Sequence, residues 1–173
     1  MLFKKSVMTA AVFAVGSVAV MSANAAASNP ATTSFTTQTT VESICTIKAP
    51  TNITLDNVQA GKATTTMYKS TSLTVNCSKG DAATISLTPA SSGTTDGLGY
   101  MVREGSTEKV NYKLTTDAAG QTPWGAALGN KVTTGLAEAY ATDIITSIYL
   151  TMTNTADVTP GTYNDTINVS VSY

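Results

Sequence analysis

The chain runs to 173 residues and 17.8 kDa, with ten Lys and Arg against eleven Asp and Glu for a formal charge of −1. No basic excess exists to neutralise phosphates, which sets nucleic acid aside as a main partner. The absence of histidine removes the Ser-His-Asp triad, the Cys-His dyad and the His-ligated zinc site together.

Only 12% of residues are charged and 42% are hydrophobic, while Thr and Ser fill much of the remainder. Such a composition, poor in helix formers and rich in β-branched residues, leans toward sheet. The N-terminus reads Met1-Leu2-Phe3-Lys4-Lys5, then an apolar run over 7–21, then Ala23-Asn24-Ala25. A short basic start, an apolar stretch and a small-x-small tripeptide make a secretory signal peptide, predicted to be cleaved after Ala25. The alternative is a retained membrane anchor, but the run of 15 residues falls short of the roughly 20 that a spanning helix needs. No other stretch is long and apolar enough to span, so direct membrane insertion is not expected.

Residues 26–43 form a Thr/Ser-rich extension. Its odd positions hold Ala31, Thr33, Phe35, Thr37, Thr39 and Val41, the more apolar face; its even positions hold Thr32, Ser34, Thr36, Gln38, Thr40 and Glu42. By composition alone this is a disordered leader. Beyond it stand two cysteines, Cys45 and Cys77. An even pair in an exported chain reads as a structural disulfide, and no CxxC redox pair is present.

From residue 73 onward, period-two alternation predicts strands. Leu73, Val75 and Cys77 share a face, as do Ala83, Ile85 and Leu87, then Val110, Tyr112 and Leu114. A longer set follows in Ile144, Thr146, Ile148, Leu150 and Met152, and a last one in Ile167, Val169, Val171 and Tyr173. Gly- and Asp-bearing turns separate these runs at 78–81, 92–97, 117–120 and 159–161. The stretch 122–141 is predicted to be a long connection with one helical turn. Several short strands without a long helix predict an all-β, immunoglobulin-like sandwich.

Single residues that could carry chemistry have plainer readings. Glu104 and Glu108 lie four apart, as a glycosidase carboxylate pair could, but sit among turn residues and are expected to be solvated. Asp157, Asn164 and Asp165 lack the spacing of a calcium loop, and Asp165 is expected to satisfy turn backbone. Trp124, the single tryptophan, is expected in the core rather than on a sugar-binding surface. Tyr163 is placed to make a corner hydrogen bond at the entry to the last strand. No cofactor, metal site or catalytic residue is predicted.

Taken together, Cys45-Thr46-Ile47, Leu73-Thr74-Val75-Asn76-Cys77, Arg103, Val110-Asn111-Tyr112-Lys113-Leu114, Asp117, Pro123-Trp124-Gly125 and the terminal run from Pro160 through Tyr163 to Tyr173 resemble the spore coat protein U domain. That is the fold of archaic chaperone–usher pilus subunits in Gram-negative bacteria. The resemblance covers nearly all of the chain after residue 25. It implies a sandwich whose seventh strand is missing, with 163–173 as strand F, nothing following it, and Ile167, Val169, Val171 and Tyr173 along the acceptor groove. It also implies that residues 26–43 donate a strand to a neighbouring subunit, Phe35 and Val41 being the large plugs, and that 44–173 is the pilin domain.

The expected function is then a structural fibre subunit at the cell surface, serving adhesion and biofilm formation. Its implied partners are further pilin subunits, a periplasmic chaperone and an outer-membrane usher. A rival reading is a monomeric secreted or coat-type sandwich that fills the groove with its own extension. A glycan-binding tip adhesin is disfavoured by the short chain, and a hydrolase by the missing catalytic groups.

Overall fold

The computed structural model describes residues 32–56, 58–62 and 67–173. Contacts divide the chain into two units, Met1–Thr40 and Val41–Tyr173. In the first, residues 32–40 are exposed and form no strand, and residues 1–31, with the predicted signal peptide and the start of the extension through Ala31, lie outside the described residues.

The second unit is all-β, with one short 3-10 turn at Leu128–Asn130 inside the predicted connection. Its strands are β1 (Cys45–Lys48), β2 (Tyr68–Cys77), β3 (Thr84–Pro89), β4 (Leu98–Val102), β5 (Lys109–Thr115), β6 (Val132–Thr133), β7 (Ile144–Met152) and β8 (Ile167–Ser172). A five-stranded sheet runs β1-β2-β7-β5-β4 and a three-stranded sheet runs β6-β3-β8, with every pairing antiparallel. This is the two-layer arrangement of an immunoglobulin-like sandwich.

Alternation explains which side chains meet. Leu73 and Val75 of β2, Tyr112 and Leu114 of β5, and Ile148 and Leu150 of β7 face inward from the large sheet. Ile85 and Leu87 of β3 oppose them from the small one, with Ile167, Val169 and Val171 of β8 packed alongside. Trp124 is fully buried in this core, and its indole N–H donates to the Ile85 carbonyl at 3.1 Å. Each large apolar side chain buried here is worth about 1.5–3 kcal/mol.

Two glycines let these layers close. A Cβ on Gly125 would fall 2.2 Å from the Thr95 carbonyl oxygen, so the chain after Trp124 can lie against the 92–97 turn only without a side chain. A Cβ on Gly99 would fall 2.5 Å from the Tyr112 ring, so β4 crosses the tyrosine only at a glycine. This is why β4 shows no inward alternation in sequence.

Cys45 and Cys77 are directly opposite in the β1–β2 register and are disulfide-bonded. Just before β1, the Ile44 amide donates to Ser78 Oγ at 2.9 Å and the Ser43 hydroxyl bonds the Asp81 carboxylate. The start of the sheet is thereby pinned to the 78–81 turn.

Candidate functional site

The small sheet ends at β8. One of its edges pairs with β3 from Thr84↔Ser172 to Pro89↔Ile167, and among the described residues no strand pairs with the other.

Which main-chain groups that open edge presents follows from antiparallel geometry, where bonded and non-bonded residue pairs alternate. The Ala90 amide donates to the Thr166 carbonyl at 2.8 Å, which makes Pro89↔Ile167 a non-bonded pair. Leu87↔Val169 and Ile85↔Val171 then share that class. The Leu87 amide agrees, since it points away from β8 to the Gly125 carbonyl. The N–H and C=O groups of Ile167, Val169 and Val171 therefore turn to the open side, while their side chains turn to the core. β1 behaves alike. The Ser78 amide donates to the Ile44 carbonyl at 2.8 Å, so the main-chain groups of Cys45 and Ile47 also turn away from β2.

Beside β8 runs a groove made of two adjoining hollows of about 720 and 560 Å³. Both touch Ile53, Thr54, Met101, Tyr163 and Asn164, which form the waist between them. One wall is the irregular segment after β1, and the other is 163–167 with Val169. Tyr112, Ile148 and Leu150 form the floor of the larger hollow; Val110, Met152 and Ala156 form that of the smaller. An unpaired strand edge next to an apolar floor is costly in water, and a further strand laid into the groove would relieve both costs.

The wall ahead of β8 is held by polar contacts. The Asp165 carboxylate accepts from four donors: the Tyr112 hydroxyl and the Ser91 hydroxyl at 2.5 Å each, the Thr166 amide at 2.8 Å and the Ser91 amide at 3.1 Å. Burial, and then the adjacent Asp165 carboxylate, push the Tyr112 phenol well above its ordinary pKa. Asp165 thus serves far more than its own turn.

Glu108 takes the Thr159 amide at 3.0 Å and the Thr159 hydroxyl at 3.1 Å. The Tyr163 hydroxyl shares its proton between the Thr159 carbonyl at 2.7 Å and Glu108 at 3.1 Å. These donors, the Thr159 amide first, hold the Glu108 carboxyl below its ordinary range. Glu108 is therefore not the idle loop charge that its setting in the sequence suggests. It clamps the 159–163 turn, and the lost signal is that its partners lie 51 and 55 residues away. Asn164 bridges to Val102 of β4 through paired main-chain bonds of 2.9 and 3.0 Å, so the last strand proper starts at Ile167 rather than 163.

The residues singled out from sequence fall as follows. Ile167 and Val169 line the larger hollow, Val171 packs on the core, and Tyr173 lies past β8 with 62% of its surface exposed. Within the extension, Thr33, Thr37 and Thr39 are exposed, and Phe35 and Val41 are 88% and 87% exposed. The floor residues Tyr112, Ile148 and Leu150 read as inward in the sequence, but alternation does not separate a groove floor from a closed core. Among the described residues no cluster of His, Cys, Asp or Glu could hold a metal, and no helix is long and apolar enough to cross a membrane.

Comparison with known proteins adds the following. The family model of the Spore Coat Protein U domain matches residues 31–170. Among solved structures, the chain is similar to the CsuC–CsuE chaperone–tip adhesion subunit pre-assembly complex from archaic chaperone–usher Csu pili of Acinetobacter baumannii. The TM-score is 0.57 at 18% identity, over 78% of this chain and 41% of that one. The chain thus spans less than half of that structure, and the likeness is one of fold. A weaker likeness is to HdaB, the minor tip subunit of the E. coli Hda pilus, with TM-score 0.39 at 11% identity over 75% and 82% of the two chains. No curated protein matches.

Proposed function

This chain belongs to the Spore Coat Protein U domain family, and from that premise we propose that it is a structural subunit of a chaperone–usher pilus. Subunits polymerise by strand exchange: the 26–43 extension of one copy lies in the groove beside β8 of the next. Residues 1–25 are removed on export, 26–43 are the donor and 44–173 the acceptor domain. A head-to-tail contact of this kind does not close on itself, so it yields a filament rather than a ring. Before assembly the groove is covered by a periplasmic chaperone's strand and is handed over at an outer-membrane usher. The finished fibre stands on the cell surface, where it serves attachment and biofilm formation, without catalysis.

The observation that carries this reading is the open edge of β8. Its three inward-facing residues, Ile167, Val169 and Val171, direct their main-chain groups to the unpaired side, and the first two line a groove with an apolar floor. Each main-chain hydrogen bond added there is worth roughly 1 kcal/mol net. The fold likeness to a chaperone–subunit complex supports a chaperone as the first occupant.

The test is Phe35→Asp. The variant is expected to be exported and to bind chaperone, but to form no SDS-resistant ladder and no surface fibre. Normal fibres from cells expressing only this variant would overturn the donor assignment. A stable monomer after deletion of 26–43 would favour a self-complemented, coat-type sandwich instead.

A further inference from the structure

Besides the Tyr112 phenol, which is committed to Asp165, the floor of the larger hollow carries one more hydroxyl beside the apolar Ile148 and Leu150. Thr71 of β2 faces inward opposite Ile148 and is 9% exposed. Its hydroxyl bonds that of Thr51, on the wall that follows β1, at 2.9 Å, and both residues line the groove together with Ile148 and Leu150. Two hydroxyls own two protons, and the bond between them uses one; the second needs an acceptor, and the lone pairs that remain can take a donor. Open to water, the pair is satisfied. Beneath an inserted strand it is not, unless that strand brings its own hydroxyl, because a buried polar group left without a partner loses its hydration uncompensated.

The inward-facing positions of the extension supply that hydroxyl. Between Phe35 and Val41 the same face carries Thr37 and Thr39, and Thr33 precedes them. We propose that the Thr51–Thr71 pair is a specificity determinant, making this groove selective for a threonine-bearing strand, the 31–41 face of a second copy of this chain, over an aliphatic strand. The proposal rests on the strand-acceptor reading above. It gives the sparse aliphatic content of the extension a physical role. Apolar burial alone would favour Val over Thr at every plug, since the two are nearly the same shape. Only a polar partner in the groove reverses that preference.

The test uses fluorescent peptides of residues 31–43, wild-type or with Thr33→Val, Thr37→Val or Thr39→Val, titrated into the purified full chain and read by anisotropy. At least one Val peptide is expected to bind about tenfold more weakly than wild-type, the effect of one unsatisfied hydroxyl. On the Thr51→Val/Thr71→Val chain the same deficit is expected to shrink to within about twofold. Should the double variant fail to fold, Thr51→Val alone, at an exposed position, serves in its place. Val peptides that bind the wild-type chain equally or more tightly overturn the proposal and point to an aliphatic strand from a different protein. So does a deficit that persists unchanged on the variant groove. If no peptide, the wild-type one included, binds a full chain carrying Phe35→Asp to keep it from filling its neighbour's groove, the strand-acceptor reading itself fails, a distinguishable result.

Discussion

The Tyr112 hydroxyl donates to Asp165 Oδ2 at 2.5 Å, joining the floor of the groove to the wall that leads into β8. Because the same carboxylate holds Ser91 by two bonds and the Thr166 amide by a third, one side chain ties β5 to the ends of β3 and β8. Tyr112→Phe is expected to lower unfolding free energy by about 1.5–3 kcal/mol, the range for a bond to a charged group. Asp165→Ala strands every donor at once, so its loss is expected to be the larger. Urea titration of both variants checks the order, and equal losses would remove Asp165 from the centre of the network. The Tyr112 pKa is raised in the folded state, so its contribution is whole below the ordinary phenol pKa and fades as pH climbs past about 10. Wild-type stability is expected to fall above that pH, and the Phe variant is expected to lose less there.

Glu108 acts on the other end of the same wall. Its folded pKa is depressed from 4.5, mainly by the Thr159 amide, so its contribution is present above that value and is lost as pH falls through the lower folded value. Glu108→Gln is expected to speed hydrogen exchange at the Thr159 amide at pH 7, and the wild-type chain to approach the variant's rate in acid. Exchange at Thr159 that ignores both changes would show that the clamp is idle.

Backbone parity in β8 separates two neighbouring prolines. The Val169 N–H faces the open edge, whereas that of Ser170 belongs to the β3 ladder opposite Ser86. Proline is tolerated where the missing N–H faces away from the sheet. Val169→Pro is therefore expected to fold but fail to polymerise. Ser170→Pro is expected to lower subunit stability by at least about 1–3 kcal/mol through the orphaned carbonyl. Thermal melts and fibre yield measured together decide this; a Val169→Pro chain that polymerises normally means the open edge is not the docking edge.

The disulfide closes a loop of sequence separation 32. In the chain-entropy model that is worth roughly 3–4 kcal/mol. β1 is four residues long and, among the described residues, pairs as a strand with β2 alone, helped by the contacts of Ser43 and Ile44 with the 78–81 turn and of Lys48 with Asp143. The Cys45→Ala/Cys77→Ala variant is expected to lose about that much in urea unfolding, with hydrogen exchange rising first in 45–48.

The sequence alone settled what is local. Period-two alternation named the inward faces of β2, β3, β5, β7 and β8 before any strand was placed, because side-chain direction in a strand depends only on residue parity. It left β4 unmarked, since Gly99 removes the inward side chain where the strand crosses Tyr112. What only the tertiary structure decided is which edge stays open and what lies under it. Strand order brings 47–54 to face 163–169 across a gap, sets Thr51 against Thr71, and gives Glu108 and Asp165 donors from distant turns. Those pairings arise from the packing of two sheets, a long-range outcome that no window of neighbouring residues encodes.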